Sequence, residues 1–141
     1  MQIDELKPTD YDAVFALWNG TAGMGLRSLD DSRDGIAAFL RRNPHTCFAA
    51  REDGEIVGTI LCGHDGRRGY IYHTAVRESR RGNGIGQELV QAVLNALERE
   101  GIRKAALVVY ENNAGGNAFW QALGFGRRTD LIYRDRTLQA Q

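Results

Sequence analysis

The segment that most constrains the fold joins an extended run to the longest amphipathic pattern through a glycine-rich turn. The extended run ends at Val76, and Gly82, Gly84 and Gly86 follow it. Apolar residues then recur at helical spacing, at Leu89, Val90, Val93, Leu94 and Leu97. The continuous apolar run over residues 105–110 is typical of a buried central strand. A strand, a helix and a second strand in this order predict a crossover that packs a helix against a sheet.

The residues before this crossover predict two antiparallel hairpins. An Asp-Gly pair at positions 53 and 54 separates two extended runs, which is a strong hairpin signal. The glycine-bearing loop 63–69 then precedes a third extended run, 70–76. Hairpins followed by a crossover indicate a sheet that contains both antiparallel and parallel neighbours.

Two amphipathic helical patterns precede the hairpins. The first follows a cap at Thr9 and stops at Gly20, and the second follows a cap at Asp31 or Ser32 and ends before Pro44. The remaining predicted elements are a short first strand near residues 3–6, a helix near 114–123 and a last strand near 127–136. The order β-α-α-β-β-β-α-β-α-β predicts an α/β fold (a mixed α+β sheet) with helices on both faces. Its 141 residues fit one domain, residues 1–141.

Charge and cysteine content exclude several classes of protein. The 18 basic and 18 acidic residues give a formal net charge of 0, which argues against binding to nucleic acid or acidic membranes. We expect a cytoplasmic protein, because no apolar run approaches the roughly 20 residues of a membrane span and the first residues do not resemble a signal peptide. Cys47 and Cys62 lack metal-ligand spacing, so we expect buried, reduced thiols and no metal.

The glycine turn has the composition of an anion site. Three alternate glycines leave backbone N–H groups unobstructed at a helix N-terminus, where the dipole favours negative charge. Arg80 and Arg81 add cationic donors suited to phosphate. Two familiar phosphate loops do not match: no Lys-Ser/Thr pair follows Gly86, and Leu89 stands at the third glycine of the dinucleotide fingerprint. The alternative interpretation is an ordinary glycine-rich turn.

The motif Arg81-x-x-Gly84-x-Gly86 resembles the [QR]-x-x-G-x-[GA] signature of the GNAT-type N-acetyltransferases. The similarity continues at Thr74-Ala75-Val76, which resembles the fourth strand of that family, and at Asn113 and the segments Ala118-Phe119-Trp120 and Leu123-Gly124-Phe125. The resemblance implies the GNAT fold and acetyl-CoA as co-substrate. The coenzyme-binding residues it implies are Ala75, Val76, Arg81, Gly82, Asn83, Gly84, Ile85, Gly86, Gln87, Asn113, Phe119 and Trp120.

The catalytic residues depart from the pattern of the family. Val108 stands where some relatives have a glutamate base, and Trp120 stands where many have a tyrosine acid. Indole donates a hydrogen bond but is no acid at neutral pH. The candidates that remain are His73, which strand alternation places on the opposite face from Tyr72, and Tyr72 itself acting through water. The acid is then water or another tyrosine, Tyr110 or Tyr133, and a structural histidine is the alternative interpretation of His73.

Charged residues in two loops are the candidates for acceptor binding. The loop between the first two helices carries Arg27 and Asp30, and the hairpin before the fourth strand carries Asp65 and Arg67. Carboxylates would orient a cationic amine, and arginines a carboxylate or phosphate, although charged loops are commonly only solvated. The run Gly-His-Asp-Gly-Arg-Arg-Gly in that hairpin resembles a bacterial subgroup of the family.

Two functions follow from these features. The first is transfer of an acetyl group from acetyl-CoA to a primary amine of a small molecule, an amino acid derivative or a protein N-terminus, by direct attack in a ternary complex. The second is a non-catalytic module that binds or senses acyl-CoA, which the departures at Val108 and Trp120 favour. The last strand could remain a charged edge or pair with a second subunit as a homodimer.

Overall fold

The computed structural model describes residues 1–21, 24, 26 and 28–139. Its helices and strands, in chain order, are β1 Gln2–Glu5, α1 Tyr11–Asn19, α2 Arg33–Arg42, β2 Phe48–Glu52, β3 Glu55–His64, β4 Gly69–Val76, α3 Ile85–Arg99, β5 Ala105–Ala106 and α4 Ala114–Ala122. Short 3-10 turns cover Pro8–Asp10, Leu29–Asp31 and Glu78–Arg80. None of the helices in this described part is both long and apolar enough to span a bilayer.

The described strands form one sheet in the order β1-β2-β3-β4-β5. Neighbours from β1 to β4 run antiparallel. β5 runs parallel to β4, with Gly69 opposite Ala105 and Tyr70 opposite Ala106. The prediction of a mixed sheet flanked by helices is therefore confirmed.

The sheet separates two apolar layers. One face packs against α3 through Phe48, Ile60 and Ile71, and the apolar stripe of α3 meets them. The other face packs against α1 and α2, where Trp18 is fully buried and its Nε1 donates to Thr59 Oγ1 at 3.1 Å. Burial of these two layers supplies the main driving force for folding.

A β-bulge interrupts β4 in the middle of its pairing with β3. Thr74 pairs with Ile60 and Ile71 pairs with Cys62, so Tyr72 and His73 together face one residue of β3. The extra residue breaks the alternation of side chains. Tyr72 contacts Phe39 of α2 and His73 contacts Trp18 of α1, so both lie on the α1/α2 face. The expectation that His73 and Tyr72 occupy opposite faces is therefore wrong.

The end of the chain differs from the prediction of two further long strands. Only Ala105 and Ala106 of the expected buried strand pair with β4, and Val108 and Tyr110 are 60% and 79% exposed. The pairing ends just before the bulge at Tyr72, where β4 bends and its ladder is disrupted. In the described part of the chain, residues 127–136 form no strand, and residues 107–110 are not part of the sheet either.

The two cysteines are buried and free. Burial raises the pKa of the Cys47 and Cys62 thiols to about 12 in each case. A thiol that stays protonated is a weak nucleophile. The expectation that the two cysteines are buried is confirmed.

Candidate functional site

The glycine turn forms the N-terminus of α3. Gly82 and Gly84 both have φ of 80°, and a Cβ on either would meet no atom within 4 Å. Gly84 is the N-cap, and no described side chain caps the helix there. The first bond within the helix runs from Glu88 N to Gly84 O at 3.0 Å, so the three preceding amides, of residues 85–87, are left for an external acceptor.

The two arginines of the turn have different partners. Arg80 donates twice to the Glu52 carboxylate, at 2.6 and 2.7 Å, and this hydrogen-bonded ion pair lowers the pKa of Glu52. Arg81 instead donates from Nε to the Val76 carbonyl at 3.2 Å. Asn83 Nδ2 closes the turn by donating to the carbonyls of Arg80 and Arg81. Of the two arginines, Arg81 has no carboxylate partner among the described residues, and it lies at the end of β4.

Gly86 brings α4 against the first turn of α3. A Cβ at this position would lie 3.2 Å from two ring atoms of Phe119 and 3.7 Å from Val76 Cγ2. The glycine therefore permits close contact between the helix start, the end of β4 and α4. Phe119 also packs edge-on against Trp120, with ring centroids 5.0 Å apart. Four residues of the family pattern are therefore adjacent in the fold: Val76, Gly86, Phe119 and Trp120.

Asn113 is the N-cap of α4. Its Oδ1 accepts from Gly116 N at 2.9 Å, and Asn117 Nδ2 donates to the Asn113 carbonyl at 2.8 Å. A Cβ at Gly116 would lie 2.6 Å from Asn113 Nδ2. The sequence reasoning identified Asn113 but did not predict that the following glycine makes room for its side chain.

His73 is paired with Asp31, which the sequence analysis named only as a possible cap of the second helix. His73 Nε2 and Asp31 Oδ1 are 2.6 Å apart, and the two side chains are 24% and 11% exposed. The edge of the His73 ring meets Trp18, with ring centroids 4.9 Å apart. The two partners are 42 positions apart in the sequence, and no local spacing could have indicated the pair.

The two tyrosines of β4, Tyr70 and Tyr72, lie next to one another and both have raised pKa values. Burial raises the pKa of Tyr72, and the nearby Tyr133 and Asp30 add to the effect. Burial likewise raises the pKa of Tyr70, whose ring lies 4.8 Å from that of Tyr72. A phenol with a raised pKa stays protonated at neutral pH, so its O–H is available to donate a hydrogen bond. Tyr110, the other tyrosine predicted to be catalytic, is mostly exposed.

Among the residues that the structure describes, those predicted to bind the acceptor do not form one group. Asp65 Oδ1 accepts from the backbone N–H groups of Arg67 and Arg68, both at 2.8 Å, and these bonds lower the pKa of Asp65. This turn explains an aspartate here without a substrate. Asp30 lies exposed beside Asp31. Arg27 lies outside the described residues.

The hairpin that carries Asp65 and Arg67 lies far from the glycine turn. His64 Nε2 is 3.2 Å from Glu100 Oε1, just after the last turn of α3. The glycine turn begins the same helix, and its 15 residues span about 22 Å. The hairpin and the turn are therefore at opposite ends of α3.

Comparison with a family model and with known sequences gives the same family as the motifs. The model of the acetyltransferase (GNAT) family matches residues 11–125. An acetyltransferase of Pectobacterium atrosepticum is 34% identical over 113 residues, which is 80% of this chain and 79% of that protein. An acetyltransferase of Sodalis glossinidius is 28% identical over 138 residues, 98% of this chain and 96% of the relative.

Solved structures share the fold at low identity. Ard1 from Thermoplasma volcanium superposes with a TM-score of 0.77 at 22% identity, covering 87% of this chain and 80% of that one. AAC(6')-Iy in complex with the bisubstrate analogue CoA-S-monomethyl-acetylneamine gives a TM-score of 0.76 at 22% identity, covering 96% and 98%. A ribosomal-protein-alanine N-acetyltransferase from Brucella melitensis gives 0.72 at 21% identity, covering 97% and 100%.

Proposed function

Because the chain belongs to the acetyltransferase (GNAT) family, we propose that it is a single-domain N-acetyltransferase, residues 1–141, that uses acetyl-CoA and a primary amine. The observation that carries this proposal is the turn at the start of α3. Gly82 and Gly84 leave its backbone open, and three amides there precede the first bond of the helix. Such an arrangement suits a pyrophosphate.

The remaining coenzyme contacts are assigned to residues around this turn. The amides of Ile85, Gly86 and Gln87 and the guanidinium of Arg81 would hold the pyrophosphate, while Gly82, Asn83 and Gly84 shape the turn. The backbone of Ala75 and Val76 at the end of β4 would hold the pantetheine arm. On the α4 side, Asn113, Phe119 and Trp120 would line the same cleft. The coenzyme supplies an acetyl group activated as a thioester.

The reaction needs a base and an acid from this chain. An alkyl ammonium has a pKa of about 10.4, so it must lose a proton before its nitrogen attacks the thioester carbon. We assign the base to His73, acting directly or through water. As the N–C bond forms, the C–S bond breaks, and Tyr72 or Tyr110 protonates the sulfur that leaves. The Val76 N–H would polarise the thioester carbonyl. On the acceptor side, Asp30, Asp65, Arg27 and Arg67 remain candidates.

The proposal is tested by coenzyme binding and turnover measured on the same samples. We expect acetyl-CoA to raise the melting temperature and free thiol to appear with at least one member of a panel of amines. Arg81→Gln should weaken acetyl-CoA binding about tenfold or more, because a charged hydrogen bond is lost. Arg103→Gln is the matched control on an exposed loop. No thermal shift with acetyl-CoA, or equal weakening by both variants, would contradict the assignment.

The second candidate function is a module that binds or senses acyl-CoA without turnover. It is favoured by Val108 and by Trp120, whose ring packs edge-on against Phe119 and Phe125 and offers no acidic proton. Acetyl-CoA binding with no thiol release across amino acid derivatives, polyamines and N-terminal peptides would favour this candidate. Thiol release dependent on one amine class would exclude it.

We further propose that two copies associate through residues 130–134. Leu131, Ile132 and Tyr133 are exposed in the single chain. The segment forms no strand in the single chain, so association would have to order it as one. Paired antiparallel about Ile132, the segment Asp-Leu-Ile-Tyr-Arg is self-complementary, because Asp130 of each copy faces Arg134 of the other. Within one chain, Asp130 pairs with Arg128, a contact that the association would have to replace or share.

The charge pattern makes this association testable by sedimentation equilibrium. Asp130→Arg and Arg134→Asp should each weaken a dimer by placing like charges opposite one another, and the double variant should restore it. A wild-type chain that stays monomeric up to high micromolar concentration would refute the proposal. So would a double variant as dissociated as either single one.

A further inference from the structure

We propose that Asp31 is a positioning residue for His73, which fixes the imidazole as the Nε2–H tautomer and leaves Nδ1 to accept a proton. The proposal rests on the proposed function for its catalytic consequence. The starting observation is the 2.6 Å separation of Nε2 and Asp31 Oδ1. Among the described residues, the His73 ring makes no other hydrogen bond.

The structure holds Asp31 in place from three directions. The Tyr11 hydroxyl donates to the Asp31 carbonyl at 2.7 Å, and Asp31 N donates to the Ser28 carbonyl at 3.1 Å. The turn Leu29–Asp31 also packs directly on α2. A Cβ at Gly35 would lie 2.5 Å from the carbonyl oxygens of Leu29 and Asp30, so only glycine allows the turn this position. The position of Asp31 is therefore set by these contacts as well as by its hydrogen bond with His73.

The ring of His73 is held as firmly. The bulge in β4 turns its side chain toward α1, where Trp18 meets it at an interplanar angle of 81°. Trp18 is itself fully buried and bonded to Thr59. A histidine fixed between an aromatic ring and a carboxylate has little freedom to flip, so the partner of Nε2 determines the tautomer.

The pairing has a direct chemical consequence. A neutral imidazole carries one N–H, and a carboxylate accepts hydrogen bonds but donates none when ionised. With the proton on Nε2, the lone pair of Nδ1 is available for the proton of an amine. The imidazolium that results keeps its Nε2–H bonded to a negative charge, which stabilises the proton-transfer step. The Tyr11 phenol also lies close to Asp31, to whose carbonyl it donates, and burial, with the Asp31 charge adding to it, raises the pKa of that phenol; Asp30 is the neighbouring residue in the same turn.

The tautomer is measured directly by ¹⁵N NMR of the imidazole at pH 9, where neutral imidazole dominates for an ordinary histidine. We expect wild-type His73 to carry its proton on Nε2. In Asp31→Asn, the carboxamide can donate as well as accept, so the Nδ1–H form should appear. A wild-type spectrum of the Nδ1–H form would overturn the proposal, and this readout needs no turnover.

Kinetics separate positioning from a purely structural role. We expect Asp31→Asn to lower kcat at least tenfold while the KM for acetyl-CoA changes less than twofold, and Asp31→Glu to recover part of kcat. In a His73→Gln background, Asp31→Asn should cause no further loss, because the residue acts through the ring. Asp34→Asn, an exposed carboxylate of the first turn of α2, is the matched control.

Two outcomes of the kinetic experiment are decisive. Equal losses of kcat from Asp31→Asn in both backgrounds would refute action through His73, and melting temperatures would show whether the loss reflects unfolding. If no amine is acetylated but acetyl-CoA binds and the Nε2–H tautomer is observed, the transferase proposal fails while the assignment of the tautomer stands. The two failures are therefore distinguishable.

Discussion

Two adjacent glycines at the start of α4 provide a matched pair of substitutions. Alanine at either position should gain roughly 0.5–1 kcal/mol of helix stability by reducing backbone freedom in the unfolded chain. A Cβ at Gly115 would meet no atom within 4 Å. A Cβ at Gly116 would lie 2.6 Å from Asn113 Nδ2 and 2.9 Å from its Cγ. Gly116→Ala must therefore move the Asn113 side chain.

Moving Asn113 breaks its 2.9 Å bond to Gly116 N. Losing an N-cap costs about 1 kcal/mol, which offsets the gain in helix propensity. We expect Gly115→Ala to raise the free energy of unfolding and Gly116→Ala to leave it almost unchanged. A difference of about 1 kcal/mol corresponds to roughly 3 °C in melting temperature for a chain of this size.

Coenzyme binding gives the second measurement on the same pair. If Asn113 contacts acetyl-CoA, Gly116→Ala should raise the Kd by about fivefold to tenfold, the effect of one hydrogen bond, and Gly115→Ala should not change it. Differential scanning calorimetry and isothermal titration provide both numbers. Equal stabilisation by the two alanines would refute the argument about the cap, and equal Kd values would refute the role of Asn113.

Three further predictions concern the glycine turn, the hairpin tip and the thiols. Gly84→Ala and Gly101→Ala both place a side chain at positive φ and should each destabilise by about 1–2 kcal/mol; in titrations with acetyl-CoA, only Gly84→Ala should weaken binding, and equal affinities would contradict the site. The lowered pKa of Asp65 means that its contribution to stability is present above the ordinary aspartate pKa and is lost as pH falls through the folded value. Asp65→Asn should therefore flatten the acid side of the curve of stability against pH, and an unchanged curve would refute this. Cys47 and Cys62, with pKa values of about 12, should react with a thiol reagent only at the rate of unfolding, and fast labelling of the native protein would contradict their burial.

The sequence was most informative where the signal was local. The Asp-Gly hairpin, the stripe of α3 and the glycine turn are each encoded within about 15 neighbouring residues, and the structure contains all three. The cap of α2 at Ser32 was one of two predicted positions, and its hydroxyl accepts from Gly35 N. Local patterns therefore predicted the mixed sheet and its flanking helices.

Features that depend on how strands align were not predictable in this way. The bulge at Tyr72 and His73 is a shift in the register between β3 and β4. This register cannot be predicted from the composition of the two strands. The pair of His73 and Asp31 depends on that bulge and on the placement of a distant turn. The expected last strand, residues 127–136, has no partner strand among the described residues, and a local sequence pattern does not show whether a partner is present.

Because of the bulge in β4, the number of residues in that strand determines which side chains reach the α1/α2 face. A regular strand presents consecutive side chains to opposite sides, whereas here Tyr72 and His73 reach the same layer of helices. The residues between Ile71 and Thr74 are Tyr72 and His73 themselves, so removing one would restore a regular strand but would delete either the potential proton donor or the potential proton acceptor. A redesign of the acceptor cleft must therefore keep both residues of the bulge, because Tyr72 and His73 reach the α1/α2 face together only through it.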